Sequence, residues 1–320
     1  MRTQEAEEQQ WEYSASYRAG QPARLAQSSG ANYNQSQVHK SWMQSRQISD
    51  TFLEWPAFPG NSNTTDMPSS LTSNLVEIQG LTKSYGGFEA VKDLNLSVSY
   101  GQIFALLGPN GAGKTTTIRM LMGILAPTAG SARIDGLDCF QDRVEVKRRV
   151  GYLPDEPIFH DYLRGSEIIR FSGEMHGLRR DEIENRTRPL LQQLELHDAL
   201  EEFAVNYSRG MKKKLALVCA MLHDPALLIL DEPTNGLDPF ATRALHEIIR
   251  SNAAAGKTIF FSTHLLDQAE KLCTQIAIVA KGRLAAHGTL AELRARLTSD
   301  SSLEEIFFSV AGESGGVTGP

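Results

Sequence analysis

The chain has 320 residues, 41% hydrophobic and 22% charged, an ordinary globular composition with enough apolar material for one large domain or two small ones. A formal net charge of -6 gives no bulk attraction to phosphate backbones or anionic membrane surfaces, so no direct contact with nucleic acid is expected. Cys139, Cys219 and Cys273 lie far apart with no CxxC pair, which argues against a disulfide framework and a zinc site and predicts free cytosolic thiols.

Residues 1–74 are rich in Gln, Ser, Asn and Thr and carry no apolar period, the pattern of a disordered polar N-terminal tail. The opening MRTQEAEEQQWE is acidic and lacks an apolar h-region, so it does not read as a secretory signal, and a cytosolic product is expected. Trp11, Trp42 and Trp55 all fall in this tail, the last inside DTFLEWPAF at 50–58, a candidate docking motif. The simpler reading is upstream sequence without function, since Met67 would serve as a start for the folded part. Apolar runs such as LALVCAML at 215–222 fall far short of the ~20 residues that a membrane span needs.

From Leu75 the texture changes to short β-like runs, VEIQGL, LNLSVSY and QIFALLG, punctuated by glycine pairs. A folded domain is predicted over 75–310, followed by a flexible C-terminal tail at 311–320. The later runs ALLIL, TIFFST at 258–263 and IAIVAKG at 276–282 are continuous apolar strands of the kind buried on both faces of a parallel sheet. Helical patterns separate them, so the class is α/β. Between Tyr152 and Ser208 the β signal disappears, and SEIIRFSGEMHGL and DEIENRTRPLLQQLEL have helical spacing with acidic first turns, a helical insert over about 155–208. LEEIFFSV from Leu303 predicts a terminal packing helix, and no repeat at solenoid periods is present.

Three stretches carry chemistry. GPNGAGKTT at 108–116 fits G-x-x-x-x-G-K-[ST], follows IFALL and precedes the helical TTTIRMLMGIL. Gly108, Gly111 and Gly113 let backbone N–H groups wrap phosphates, and the helix start adds positive potential. Lys114 then neutralises β- and γ-phosphates and Thr115 holds Mg²⁺. LLILDEP at 227–233 is an apolar strand ending in two acids, with Asp231 on the metal side and Glu232 the candidate general base. A charged strand end alone is commonly just solvated. FFSTHLLDQAE puts His264 at another strand end, on the same sheet edge as the phosphate loop.

Taken together, the motifs from about Leu75 to Phe308 resemble the ATPase subunit of an ATP-binding cassette (ABC) transporter. The resemblance implies a P-loop fold with a RecA-like parallel-sheet core, an N-terminal antiparallel β subdomain and an inserted helical subdomain. GPNGAGKTT is similar to the Walker A loop, so Gly108, Pro109, Asn110, Gly111, Ala112, Gly113, Lys114, Thr115 and Thr116 would bind ATP. LLILDEP resembles Walker B, with Glu232 in the place of the catalytic glutamate and His264 in that of the switch histidine; Lys114, Glu232 and His264 are thus the candidate catalytic groups. Tyr85 of TKSYGG matches the aromatic that stacks on adenine, and TNGLDP carries the D-loop at Gly236, Leu237 and Asp238.

YSRGM at 207–211 occupies the signature position, where LSGGQ is usual. In the family this segment serves the ATP of the opposite subunit, so Ser208 and Gly210 would complete a partner's site. Arg209 and Met211 depart from the commonest form. Lys212, Lys213 and Lys214 then fall in the first turns of the signature helix, where positive charge opposes the macrodipole; they suit a surface facing phosphates or an acidic partner, or a purely solvated run. In VGYLPDEP at 150–157 the family usually has Gln where Asp155 stands. Asp155 joins Thr115 and Asp231 as a candidate metal group and adds negative charge to an anionic site.

Asp155 and the YSRGM form resemble bacterial export-type cassettes that work with a separate membrane permease. The implied cofactors are ATP and Mg²⁺, and the implied partners are a second cassette, as a homodimer, and a permease at the cytoplasmic face of the membrane. A groove beside Asp155, including Phe159 and Tyr162, would receive a short permease helix, unless those aromatics pack in the core. The competing reading is a soluble cassette ATPase acting on nucleic acid or ribosomes. It would call for long coiled coils, Cys-rich modules or a second cassette, and the sequence has none of these.

Overall fold

The computed structural model describes residues 74–295 and 303–313. The expectations for the N-terminal tail, Trp11, Trp42 and Trp55 among them, lie outside the described residues. Strand β1 (Asn74–Tyr85) pairs antiparallel with β2 (Phe88–Ser99), setting Val76 opposite Val98 and Ile78 opposite Leu96. In β2, Leu94, Leu96 and Val98 are buried while Asn95 and Ser97 are exposed, the period-2 alternation of a sheet with one covered face. With β4 (Ala129–Ile134) and the short β5 (Leu137–Asp138) these strands form a 4-stranded sheet in the order β2-β1-β4-β5.

A second, 6-stranded sheet runs β10-β9-β3-β8-β7-β6. Its strands are β3 (Ile103–Leu107), β6 (Val150–Leu153), β7 (Leu227–Asp231), β8 (Thr258–Thr263), β9 (Gln275–Ala280) and β10 (Arg283–Gly288). All neighbours pair in parallel except β10, an antiparallel edge. Every residue of β3, β7 and β8 is buried, which explains their unbroken apolar runs. One core lies between the sheets, where Phe104, Leu106 and Phe260 meet Val76, Leu94 and Ile118. The other covers the opposite face, where Leu107, Leu230 and Phe261 meet Leu215, Leu245 and Ile249.

Helix α1 (Lys114–Leu121) follows β3, and α2 (Arg143–Arg149) leads into β6. Helices α3 (Gly165–Met175) and α4 (Arg180–Gln193) fill the stretch between β6 and α5 (Arg209–Met221). Their starts are fixed by acids at the third helical position: Glu167 accepts from Arg164 N–H and Glu182 from Arg179 N–H. Helix α6 (Pro239–Ala254) begins behind Asp238, whose carboxylate accepts from the N–H groups of Phe240 and Ala241. The chain ends through α7 (Leu266–Leu272), α8 (Leu290–Ala295) and α9 (Leu303–Glu313). Leu303 and Ile306 bury α9 against the domain, and the helix runs to Glu313, into the stretch 311–320 for which a flexible tail was expected.

Candidate functional site

In the parallel sheet β8 separates β3 from β7, so the segments that leave the carboxyl ends of β3, β6, β7 and β8 open onto one edge. They meet in a cleft of about 520 Å³, lined among others by Tyr85, Asn110, Gly111, Gly113, Lys114, Thr115, Thr116, Asp155, Glu232, Asn235 and His264. Gly108, Pro109 and Ala112 do not line it. They shape the loop: Ala112 is buried and its N–H donates to Pro109 O at 3.2 Å.

Gly108 and Gly113 are sterically required. A Cβ on Gly113, which has φ 102°, would stand 2.5 Å from Ala90 O, and one on Gly108 2.5 Å from Val279 O. Helix α1 starts at Lys114, so the N–H groups of its first turn have no intrahelical acceptors and are free for an anion. Lys114 Nζ donates to Gly108 O at 2.8 Å and Pro109 O at 3.2 Å, and lies 3.1 Å from Glu232 Oε1. Tyr85 stands half-exposed at the cleft rim with Lys83 Nζ 5.3 Å from its ring centroid.

The two acids at the end of β7 have different surroundings. Asp231 Oδ1 accepts from Ser262 Oγ at 2.5 Å and from Thr115 Oγ1 at 3.3 Å. Burial raises the Asp231 pKa, the two hydroxyls oppose that, and the charges of Asp155 and Glu232 add to it. Glu232 has φ 43°, a left-handed backbone that costs a non-glycine residue on the order of 1–3 kcal/mol and persists because its surroundings hold it. Its N–H donates to Ser262 Oγ at 3.0 Å, and its carbonyl accepts from Lys213 Nζ at 2.6 Å and Asn235 N–H at 3.1 Å. Oε2 lies 2.9 Å from His264 Nδ1, while buried Oε1 has the Lys114 charge beside it but no aligned hydrogen-bond donor.

These groups fit a nucleoside triphosphate and Mg²⁺. The glycine cradle and free helix amides suit phosphate oxygens, and the Thr115 hydroxyl beside the Asp231 carboxylate is a hard oxygen-donor pair. Asp155 lines the cleft, yet Oδ1 is engaged by Lys213 Nζ at 3.3 Å and Asn235 Nδ2 at 3.2 Å, with Arg209 at 3.7 Å. The negative charge expected from Asp155 is therefore offset by two cations.

Ser208 and Gly210 are not part of this cleft. Ser208 caps α5, its Oγ accepting from Met211 N–H at 3.2 Å, and remains exposed. A Cβ on Gly210 would lie 2.9 Å from Gly236 O, so this glycine also permits a close approach within its own chain. The lysine run departs from the solvated reading: Lys213 is 1% exposed and faces inward. Arg209 is a partner too, standing 3.5 Å from Glu156 and packing on Gly236. Sequence reasoning missed Ser262, Lys213 and Asn235. A serine following the apolar Ile259–Phe261 run of β8 was a signal for the first of these.

The fold and the cleft define a P-loop nucleotide hydrolase. Residues 91–235 match the family model described as ABC transporter. The chain is 34% identical over 244 residues to the ABC-type transporter ATP-binding protein EcsA of Bacillus subtilis (strain 168), covering 76% of this chain and 99% of that relative. It is 37% identical over 222 residues to the Nod factor export ATP-binding protein I of Cupriavidus pinatubonensis, covering 69% and 68%. Among solved structures, an ATP-binding subunit of an ABC transporter superposes with a TM-score of 0.70 at 36% identity, covering 74% of this chain and 99% of that one. The chain belongs to the ATP-binding subunits of ABC transporters. It is an ATPase that uses ATP with Mg²⁺ to drive transport, in a family whose subunits dimerise and work with membrane permeases. Among the described residues no helix is long and apolar enough to cross a membrane.

Proposed function

We propose that two copies of this chain close around two ATP molecules, each held between the cleft of one copy and the Ser208–Gly210 segment of the other, and that the closure drives export through a separate permease. One observation supports this reading: Tyr85, Lys114, Thr115, Glu232 and His264 line a single cleft, with Asp231 bonded to Thr115 behind it, while Ser208 and Gly210 are not among its lining residues and stand at the start of α5. Tyr85 stacks on the adenine, and the loop from Gly108 to Thr116 wraps the phosphates. Lys114 presents its ammonium to the β- and γ-phosphates, and Thr115 and Asp231 hold the metal. Mg²⁺, when bound, neutralises charge on the phosphate oxygens. Glu232 takes the proton of the attacking water on Oε1, and His264 fixes the carboxylate through Oε2.

The permease is assigned to an apolar groove of about 430 Å³ that includes Ile158, Phe159, Phe171 and Met175. Ile158 is 92% exposed and Tyr162, close by, 82%, whereas Phe159 packs partly on the core. A short permease helix seated there would hold the chain at the cytoplasmic face of the membrane. Export is supported by the export function in the name of the Cupriavidus relative.

The test is to capture tagged full-length Glu232→Gln chain from solubilised cells with and without ATP and Mg²⁺ and to identify what co-purifies. Recovery of a polytopic membrane protein together with untagged copies of the chain is the expected result. Ribosomes, DNA or soluble proteins alone would overturn it in favour of a soluble cassette ATPase.

A further inference from the structure

Lys213 is among the largest fully buried side chains of the domain, and it sits in the second turn of a helix whose neighbouring lysines are partly exposed. Its ammonium spends its donors on two loops: Glu232 O at 2.6 Å, Asp155 O at 3.0 Å and Asp155 Oδ1 at 3.3 Å. Asn235 closes a ring through the same atoms, giving its N–H to Glu232 O at 3.1 Å and its side-chain amide to Asp155 Oδ1 at 3.2 Å. Three segments distant in sequence are tied at one point: the segment after β6, the residue after β7, and α5. Burial lowers the pKa of Lys213, and the Asp155 charge opposes that shift.

The pair is weak as a stabiliser, because desolvating the buried Lys213 ammonium cancels much of its attraction to the partly exposed Asp155. Its value lies in fixing geometry. Here the fixed atom is the carbonyl of Glu232, the residue held in a left-handed backbone and bearing the carboxylate between Lys114 and His264. A carbonyl clamped at 2.6 Å resists the peptide rotation that would let this turn relax.

We propose that Lys213 is a positioning residue for ATP hydrolysis, holding the backbone of Glu232 in the turn that aims its carboxylate, and that Asp155 acts chiefly as the counter-ion of Lys213. This rests on Glu232 being the general base. It makes the segment that leads into the permease groove, which begins three residues beyond Asp155, mechanically continuous with that base.

The test uses the full-length chain in four forms: wild type, Lys213→Met, Asp155→Asn and the double variant, with Lys213→Gln in place of Lys213→Met if the latter does not fold. Hydrogen–deuterium exchange without nucleotide is read for peptides spanning 230–238 and 150–158. Steady-state hydrolysis and its Mg²⁺ dependence are read alongside. The expected result is faster exchange in both peptides in either single variant, with β3 and β8 unchanged. For Lys213→Met, kcat falls about tenfold or more while KM for ATP stays within about twofold, the split of an interaction felt at the chemical step. The double variant is less impaired than the two single losses multiplied, because both partners of one interaction are removed together and no Lys213 charge is left buried without its counter-ion. Unchanged exchange at 230–238 with unchanged kcat overturns the proposal, and so does an Asp155→Asn variant whose only defect is a raised Mg²⁺ requirement. Glu232→Gln measured in parallel separates the two ideas: retained turnover removes the base, whereas the exchange result judges the clamp by itself.

Discussion

Glu232 Oε2 and His264 Nδ1 lie 2.9 Å apart, although 32 residues separate them in sequence. Parallel pairing of β7 with β8 produces the contact, since Asp231 is in register with Ser262 and each functional residue stands just beyond its strand. Glu232→Gln should therefore lower kcat about 10²–10⁴-fold, the range of a lost general base, while leaving ATP affinity in place. The amide cannot take the proton of water, so ATP should hold the pair closed. Size-exclusion chromatography with ATP and Mg²⁺ checks this, and a monomeric, ATP-bound variant would count against the sandwich.

Ser262 is the next prediction. Its hydroxyl donates to Asp231 and accepts from the N–H of Glu232, so one atom braces both acids. Ser262→Ala leaves a buried carboxylate short of a donor and a buried N–H unpaired, a loss of about 1–3 kcal/mol per unsatisfied group. Urea denaturation should show a lower midpoint with unchanged slope. Hydrolysis should fall as well, because both acids lose their brace.

Ser208→Arg separates action within a chain from action across two. Ser208 is exposed and outside the cleft, so ATP affinity of the monomer should be unchanged. Under the proposed sandwich hydrolysis should be lost, because an arginine side chain would stand where the γ-phosphate held by the other copy has to approach. Titration with a fluorescent ATP analogue and a turnover assay decide the matter; lost affinity would place the motif in its own site.

Acid stability offers a prediction away from the cleft. The rings of His176 and His223 stack with centroids 3.8 Å apart. Burial, then the neighbouring His176 charge, pushes His223 down from 6.5 to about 4, and burial with Arg148 lowers His176. Protonation of either ring is thus disfavoured in the fold. A folded pKa below the unfolded one means that the unfolded chain binds more protons in the interval between them. Stability from His223 is full above pH 6.5 and declines as pH falls from there towards about 4. Denaturation midpoints at pH 7 and pH 5 should differ by less in His223→Gln than in wild type.

Gly151 tests packing alone. A Cβ there would fall 2.1 Å from Ala220 O and 2.6 Å from Leu228 Cδ2, between β6 and α5. Gly151→Ala should cost about 1–3 kcal/mol, the usual range for overpacking, with the loss read from thermal or urea unfolding.

What could be read from sequence follows from how local each signal is. Strands β3, β7 and β8 were legible because burial on both faces leaves an unbroken apolar run. The glycine-rich loop was legible as a loop between β3 and α1 because its glycines, lysine and threonine fall within one short stretch, 108–116. Lys213 was not, since three lysines in a row read equally as a solvated run or as a surface facing phosphates or an acidic partner, and its contact, Asp155, lies 58 residues earlier in the chain. Arg209 was hidden for the same reason: its partners Asp155 and Glu156 lie on another segment. Ser262 carried half a signal, a polar residue after the apolar run of β8, but its contacts with Asp231 and Glu232 needed the β7–β8 register.

The distance of Ser208 from the cleft of its own chain has a kinetic consequence. Under the proposed arrangement a solitary copy owns two unlike halves of a machine and no complete one, so turnover per molecule climbs with concentration in dilute solution. A permease that seats two copies turns this second-order encounter into an event within one particle, at an effective concentration set by the spacing of its docking sites. Fuel consumption would then follow the number of assembled transporters rather than the number of chains made, and surplus copies would idle without draining the ATP pool.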